Sequence, residues 1–405
     1  MRTDLALLLA MLPATLIGCL EPLNSGDVEV AHVQVAIGSA GAPADTIQVR
    51  GTTRVRAIAY APDGFDTGIA DFRYASSDTL IAVVDSAGIV SGVSPGEAII
   101  TATAPRGESG SARVVVRPST IAYTIDVGPE PGAIAFSNDF ARGYVLTAPD
   151  TLVVLDALGF FRLGAIGLGL AAHGVAATTS QIYVTHPFDD SVSVVSPATH
   201  QRTGRIRIGA GPSGIVAAGA RAFVAARADR RIVTVEDGAA SGAIDVDGEP
   251  VELAISGDGR RLFATMRRGG AWHLLLADPQ AGVAVSSVAV TGEPTAIATN
   301  ADGSRVWVLF AGPRRVDAWT IAPGGEWASA GSATVGTGAA GIGARQVGTP
   351  YVIVSGEPAT VIHGQTMAVV DRVAGGGAGR VAVRPDGLFA FLGVRSSGRV
   401  HVLAM

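Results

Sequence analysis

The chain has 405 residues and a net charge of −5, and all 30 of its basic residues are arginine. Because there is no lysine, the sequence excludes enzymes that depend on a Walker A lysine, a lysine Schiff base or the usual pyridoxal phosphate linkage. Acidic and basic residues are interspersed along the chain, unlike the clustered basic surface of a nucleic-acid-binding protein. We therefore expect no nucleic-acid partner.

The first predicted element is an export signal at 1–18. Arg2 precedes an apolar run at 5–17, which is shorter than the ~20 residues of a membrane-spanning helix and typical of a secretory signal. The run closes in "LIGC", and a cysteine after a small residue at this place resembles the lipobox of bacterial lipoproteins. The resemblance implies cleavage before Cys19 and lipid on its sulfur and on the new amino terminus. Residues 19–26 are then a tether to the membrane.

Leu20 bears on the destination of such a lipoprotein. Members of the family with Asp after the cysteine tend to stay on the inner membrane, so Leu20 favours the outer membrane, facing the periplasm or the cell surface. An ordinary signal peptide with an incidental cysteine is the alternative. Cys19 is the only cysteine of the chain, so we expect no disulfide in the exported protein.

Residues 27–118 predict a small β-sandwich, because apolar and polar side chains alternate there and turn signals recur every 8 to 12 residues. The middle reads "FRYASSDTLIAVVDSAGIVSGVSPGEAIITATA" and resembles the group-2 bacterial Ig-like domain. The matching positions are Ser76, Ser77, Asp78, Asp85, Gly88, Gly92 and Gly96. Tyr74 stands where the family usually has tryptophan, and Glu97 where it has threonine. We expect Tyr74 to anchor the core of the sandwich.

Residues 119–405 repeat a unit of about four short strands with Gly-Pro and Asp-Gly turns. One apolar inner position per unit recurs every 38 to 45 residues, at Ile134, Val175, Ile215, Leu253, Ile297, Ile342 and Val381. Seven such units predict a seven-bladed β-propeller. The pieces "GPEPGAIAFSND" and "VVLD" resemble the YVTN family of propeller proteins, and the sixth unit matches the repeat least. The predicted fold class is all-β, an Ig-like β-sandwich followed by a seven-bladed β-propeller.

The two ends of the repeat region predict how the ring closes. The last unit contains only three strands, finishing in "RVHVLAM", whereas one surplus strand, "IAYTIDV" at 121–127, precedes the first unit. A closed propeller has only short, protected edges. We therefore expect the N-terminal strand to complete the last blade.

Three kinds of motif for chemistry occur without the context that they need. "GVSPG" at 92–96 matches G-x-S-x-G, but a nucleophile elbow needs a strand, a turn and a helix, and this copy lies between two strands of the sandwich. "GAGPSG" at 209–214 and "GTGAAG" at 336–341 match a dinucleotide fingerprint with no helix to follow. The seven histidines are scattered without metal-ligand spacing. We expect no catalytic residue, no metal and no cofactor.

Aligning the repeats places the first residues of the inner strands around the mouth of a central channel. These residues are small and neutral except for His173, Glu252 and Arg380. The simpler interpretation is that the three are solvated rim residues. The alternative is a ligand mouth for an anionic or polyhydroxyl ligand, with Arg380 pairing a carboxylate. In that case Arg380→Ala should weaken ligand binding and leave thermal stability nearly unchanged, because Arg380 is expected to be exposed.

Together these features predict a monomeric, membrane-anchored envelope lipoprotein that acts as a non-catalytic binding module for a protein or a glycan. A hydrolase or oxidoreductase of the lactonase-like or quinoprotein propeller type is one alternative. It would need acidic or histidine side chains that converge on one face. A structural spacer on the envelope is the other alternative.

Overall fold

The computed structural model describes residues 29–39, 42–43, 45–117, 121–348 and 350–405. Every regular element in these ranges is a β-strand. Within them there is no helix long and apolar enough to cross a membrane. The predicted signal at 1–18, the lipid-bearing Cys19 and the tether at 19–26 lie outside the described residues.

The N-terminal part is a sandwich of two sheets. Its strands are β1 (His32–Ser39), β2 (Ala42–Pro43), β3 (Thr46–Gln48), β4 (Thr52–Tyr60), β5 (Arg73–Ser76), β6 (Ala82–Val84), β7 (Ile89–Gly92), β8 (Gly96–Thr103) and β9 (Ser109–Arg117). One sheet has the order β2-β1-β4-β7-β6 and the other β3-β9-β8-β5. Strands β3 and β9 run parallel, and the other paired strands run antiparallel.

Tyr74 lies on β5 and packs against the apolar core between the two sheets. Its ring centroid is 6.4 Å from that of Phe72. Gly88, in the turn before β7, has a φ of +74°, and a Cβ at that position would lie 3.1 Å from the Tyr74 ring. Only glycine accepts this backbone conformation without strain. The tyrosine therefore fills the space that the tight turn leaves open.

The C-terminal part consists of seven four-stranded antiparallel sheets, counted over the described residues from 121 onward. The first to third sheets contain β11 (Ile134–Phe136), β12 (Arg142–Thr147), β13 (Thr151–Asp156) and β14 (Phe161–Gly167); β15 (Val175–Ala177), β16 (Ile182–His186), β17 (Ser191–Val195) and β18 (Arg202–Arg207); and β19 (Pro212–Ala218), β20 (Arg221–Ala226), β21 (Arg231–Glu236) and β22 (Ala239–Asp245).

The fourth to sixth sheets contain β23 (Glu249–Ile255), β24 (Leu262–Arg268), β25 (Ala271–Asp278) and β26 (Val283–Val290); β27 (Ala296–Thr299), β28 (Arg305–Phe310), β29 (Arg315–Ile321) and β30 (Trp327–Thr334); and β31 (Ile342–Ala344), β32 (Tyr351–Val354), β33 (Ala359–His363) and β34 (Val369–Val373). The sixth unit, whose sequence matches the repeat least, thus forms four strands like the others. We call these sheets blades one to six.

Blade seven joins residues from both ends of the repeat region. It contains β35 (Val381–Val383), β36 (Phe389–Val394) and β37 (Arg399–Ala404), and its fourth strand is β10 (Tyr123–Asp126). Strand β10 runs antiparallel to β37, with Ile125 opposite Val400. The inner strands contact one another in cyclic order, and β35 of blade seven contacts β11 of blade one. The blades therefore form a closed ring.

The second strand of a blade supplies side chains to two different cores. In β16, Ile182 and Val184 pack into the cluster shared with blade one, whereas Tyr183 packs into the cluster shared with blade three. Successive side chains of a strand point to opposite faces, and here both faces are covered by a neighbouring blade. A second strand such as "IYVTH" is therefore buried along its whole length. In the outermost strands, exposed residues alternate with partly buried ones.

The sandwich packs against the last blades of the propeller. Apolar residues of both parts belong to one buried cluster. The Arg50 guanidinium lies 4.6 Å from the ring centroid of Phe389, and Arg384 lies 4.6 Å from the same ring. At the edge, Arg117 Nη1 is 3.9 Å from Asp371 Oδ1. Close contact between a guanidinium and an aromatic face is stabilising, so the two parts share a packed interface.

Candidate functional site

The central channel is lined at one end by the first residues of the inner strands. Neighbouring inner strands lie close together there. A Cβ added to Gly214 would lie 2.5 Å from the Val251 carbonyl oxygen, and one added to Gly341 would lie 2.5 Å from the Val381 nitrogen. Small residues at these positions are therefore required by packing. The lining includes Ala133, His173, Gly174, Gly214, Glu252, Ala296, Gly341 and Arg380.

Three polar side chains from three blades meet at this channel mouth. Arg380 of blade seven donates from Nη2 to Glu252 Oε1 of blade four over 2.5 Å. Its Nη1 donates to the Thr295 carbonyl oxygen over 3.4 Å. His173 of blade two places Nε2 3.9 Å from the same Glu252 Oε1. The alignment of the repeats named these three residues, and the structure brings them together as a cluster.

Two of the three residues expected at a solvated rim are paired with each other and are only partly exposed to solvent. The side chains of Arg380 and Glu252 are 24% and 17% exposed, and that of His173 is 40% exposed. The alignment located the start of each inner strand but could not show that Arg380 reaches across the channel. We therefore expect a loss of stability in Arg380→Ala, because the substitution would remove the partner of a partly buried carboxylate.

The protonation of His173 follows from its surroundings. Burial lowers the pKa of His173, the Glu252 carboxylate opposes this shift, and the charges of Arg380, Arg227 and Arg395 add to it. The imidazole is therefore neutral at pH 7, and its contact with Glu252 is not an ion pair. Among the described residues neither ring nitrogen has a hydrogen-bond partner, so one donor and one acceptor are available to a ligand.

Buried hydroxyls on the second strands hold the inner strands at the mouth. The Gly174 amide donates to Thr185 Oγ1 over 2.9 Å, and that hydroxyl donates to the Ser213 carbonyl of the next blade over 2.9 Å. The Glu252 amide likewise donates to Thr265 Oγ1 over 3.0 Å. Both threonines are fully buried. Sequence reasoning missed them, although a hydroxyl near the end of an otherwise apolar second strand was the available signal.

A side groove of about 560 Å³ opens from the channel mouth between blades two, three and four. It shares His173 and Glu252 with the mouth, and its other lining residues are Ala171, Ala172, Pro187, Phe188, Gly211, Ser213, Arg227, Ala228, Glu249 and Val251. The walls are mostly small and apolar, and the polar groups come from blade two (His173), blade three (Ser213 and Arg227) and blade four (Glu249 and Glu252). Its volume lies in the range of about 300–1,000 Å³ of small-molecule sites.

Phe188 and Arg227 are the two prominent side chains of this groove that the sequence analysis missed. Phe188 follows β16 in a turn and is 94% exposed. Arg227 follows β20, and its Nη2 lies 3.9 Å from Glu249 Oε2. Its Nε is buried without a partner in the described structure. The sequence "HPFDD" offered a signal for Phe188, because it places an aromatic residue in a polar turn, where its side chain does not contribute to a hydrophobic core.

The motifs set aside in the sequence have structural roles. Ser94 of "GVSPG" is buried in the sandwich, and its hydroxyl donates to the Leu80 carbonyl. His186 is buried in blade two, with Nδ1 3.1 Å from the Ala171 carbonyl and Nε2 2.8 Å from Ser193 Oγ. No group of three or more His, Cys, Asp or Glu side chains that could hold a metal occurs in the described ranges.

The histidines predict an acid-sensitive fold. Burial lowers the pKa of His173, His186 and His363 below the usual 6.5. The unfolded chain then takes up protons before the folded chain does, so stability is complete above about pH 6.5 and falls as the pH drops through the lowered values. We expect a melting temperature several degrees lower at pH 5 than at pH 7.5, measured by thermal unfolding in matched buffers.

A matched pair of variants assigns this effect. In His186→Gln the difference between the two melting temperatures should shrink, because a neutral amide replaces a ring whose protonation opposes folding. His32→Gln makes the same change at an exposed ring of the sandwich and should keep the full difference. An equal pH dependence in both variants would contradict the assignment to buried histidines.

Fold and site define a class, an all-β protein in which a bacterial Ig-like sandwich precedes a β-propeller. Residues 42–116 match the family described as bacterial Ig-like domain (group 2), so the chain carries such a domain. The chain is similar in structure to hydrazine synthase of Kuenenia stuttgartiensis, with 19% identity and a TM-score of 0.59. The match covers 68% of this chain and 96% of that one.

A second similar structure is the Cps50 (Swd1) β-propeller domain of Myceliophteria thermophila. Its identity is 12% and its TM-score 0.59, and the match covers 71% of this chain and 100% of that domain. At these identities the likeness extends to the fold alone. No curated protein matches the chain in sequence.

Proposed function

We propose that this protein is an envelope-anchored binding module whose propeller holds a polar ligand at the channel mouth and in the adjoining groove. The observation that supports the proposal is the convergence of His173, Glu252 and Arg380 at the end of a channel that opens into a 560 Å³ groove. Ligand sites are typically concave, largely apolar and supplied with a few converging polar groups. The ligand is a protein segment or a glycan of the envelope.

Anchoring and placement belong to the same proposal. The lipobox-like "LIGC" supplies a lipid-bearing Cys19, and the Ig-like domain that follows would hold the propeller away from the membrane as a monomer. Leu20 favours the outer membrane, facing the periplasm or the cell surface. Stable anchoring requires two or more acyl chains, which a diacylated thioether with an acylated amino terminus provides.

Binding is tested with the full chain immobilised and exposed to envelope extracts. We expect one protein or glycan to be retained by wild type and lost from His173→Ala, because the free imidazole is then removed from both the mouth and the groove. Gln201→Ala, an exposed change at the outer side of the same blade, is the control and should retain the ligand. Equal retention by the two variants would move the site away from the mouth.

Replacing Cys19 with Ser should abolish anchoring. Serine lacks the thiol that accepts the lipid, so the precursor remains unprocessed or the product becomes water-soluble. Phase partition of cell extracts in detergent measures the difference, with wild type expected in the detergent phase. A wild-type protein in the aqueous phase with an unmodified amino terminus would contradict the lipoprotein assignment.

An enzyme of the lactonase-like or quinoprotein type is the second candidate. The observation in its favour is a neutral His173 3.9 Å from the Glu252 carboxylate, since a general base needs an unprotonated ring near the reacting proton. Hydrolysis of simple lactone and ester substrates, lost in His173→Ala, would support this candidate. A spacer without any ligand is the third, and it predicts no specific retention from the extracts.

A further inference from the structure

We propose that the side groove between blades two, three and four binds a neutral oligosaccharide, with the ring of Phe188 as its stacking platform. This inference rests on the proposed function and names the ligand class of the same site. Three features carry it: an exposed aromatic ring beside a concave surface, internal compensation of the groove's charges, and polar groups that can both donate to and accept from hydroxyls.

The exposure of Phe188 has no explanation in the stability of the fold. At 94% exposure its ring contributes almost nothing to a core, and apolar side chains are favoured by burial. It stands beside the small apolar walls formed by Ala171, Ala172 and Pro187. An aromatic face is electron-rich and attracts positively polarised edges, and the C–H face of a sugar ring presents such an edge. The contact between the Phe188 ring and the flat face of a sugar is therefore more favourable than the exposure of the ring to water.

The groove and the adjoining channel mouth carry two carboxylates and two guanidinium groups, so their formal charges sum to zero. Glu252 accepts a hydrogen bond from Arg380 over 2.5 Å, and Arg227 lies 3.9 Å from Glu249. His173 is neutral, because burial lowers its pKa. An ionised ligand would have to compete with these existing partners and lose its hydration on entering. A neutral ligand avoids that cost, which favours neutral sugars over uronic acids or phosphorylated glycans.

The polar groups suit hydroxyls. The two nitrogens of the neutral His173 ring offer one donor and one acceptor. The Arg227 Nε is buried without a partner in the described structure, and leaving such a donor unsatisfied is unfavourable. A hydroxyl both donates and accepts, so a row of hydroxyls satisfies donors and acceptors of either kind. An apolar peptide side chain would leave these groups unpaired.

The test is a glycan array carrying neutral, uronic and phosphorylated oligosaccharides, probed with the labelled full chain in detergent. We expect retention on neutral oligosaccharides and none on the anionic ones. The strongest neutral ligand is then titrated calorimetrically against wild type, Phe188→Ala and Phe161→Ala. Loss of the platform should weaken binding by about fivefold to tenfold, in line with the usual strength of aromatic contacts. Phe161, which is also exposed but lies on the outer strand of blade one, is the matched control and should leave affinity unchanged.

The outcomes separate this inference from the proposed function. Retention only on anionic glycans, or no retention on any neutral glycan, overturns the neutral-sugar class. An affinity that is the same in Phe188→Ala as in wild type overturns the platform. In each case a ligand captured from envelope extracts in a His173-dependent manner would leave the binding module intact, with another ligand class. Loss of both results would remove the proposed function as well.

Discussion

Ile125→Asp should destabilise the propeller by about 5 kcal/mol, which corresponds to a melting temperature lower by about 10 °C or more. Ile125 lies on the closing strand β10 opposite Val400 and is 4% exposed, in the cluster shared by blades seven and one and the sandwich. A carboxylate there has no partner and must leave water to remain in place. The strand would detach from β37 and expose an unpaired edge, which invites aggregation.

Thr124→Asp is the matched control, because it introduces the same group one residue away on the exposed face of β10. It should melt within about a degree or two of wild type, as surface substitutions usually do. Limited proteolysis provides the second readout, and only Ile125→Asp should open cleavage sites within 371–405. If both variants melt together and protect 371–405 equally, β10 contributes nothing to closure.

The closing strand could be predicted because each blade of a propeller needs the same number of strands, and the strands of each repeat unit can be counted in the sequence. The last unit lacks one strand and one strand is left over at 121–127, and β10 within that segment pairs with β37. The Ig-like domain could be predicted from the sequence for another reason. Its turns need glycine and aspartate at fixed positions, as Gly88 beside Tyr74 illustrates. Both inferences rest on local patterns that repeat, and neither needs knowledge of side-chain contacts between blades.

The environment of the site could not be predicted in this way. Arg380 and Glu252 are 128 residues apart, and their contact depends on how far a long side chain extends across the channel. The alignment of the repeats predicted where Arg380 and Glu252 lie along the axis of the channel, but it could not predict how far each side chain is buried. The side groove was inaccessible for a similar reason, because Phe188 and Arg227 lie in turns that differ from blade to blade. The hydroxyls of Thr185 and Thr265 were visible only as polar interruptions of apolar strands.

Arg380→Ala should destabilise the protein by about 2 kcal/mol, through the carboxylate that it leaves behind. Removing one partner of a buried ion pair typically costs more, but about a fifth of each side chain still contacts solvent, which screens the remaining charge. Glu252→Gln should cost less, because a neutral amide next to Arg380 leaves a group that is easier to hydrate. Urea unfolding at pH 7.5 measures both values.

The same pair controls the titration of His173, which gives a readout that stability alone does not provide. Arg380 lowers the pKa of His173 and Glu252 raises it, so the two variants should shift the pKa in opposite directions. In Arg380→Ala it should rise, because the carboxylate then acts on the ring without its counter-ion. In Glu252→Gln it should fall further below the usual range. NMR titration of the imidazole follows both, and a shift of the same sign in the two variants would show that the three side chains do not form one cluster.

In the double variant Arg380→Met, Glu252→Met, most of the stability lost in Arg380→Ala should return, because no charge is left unpaired at the mouth.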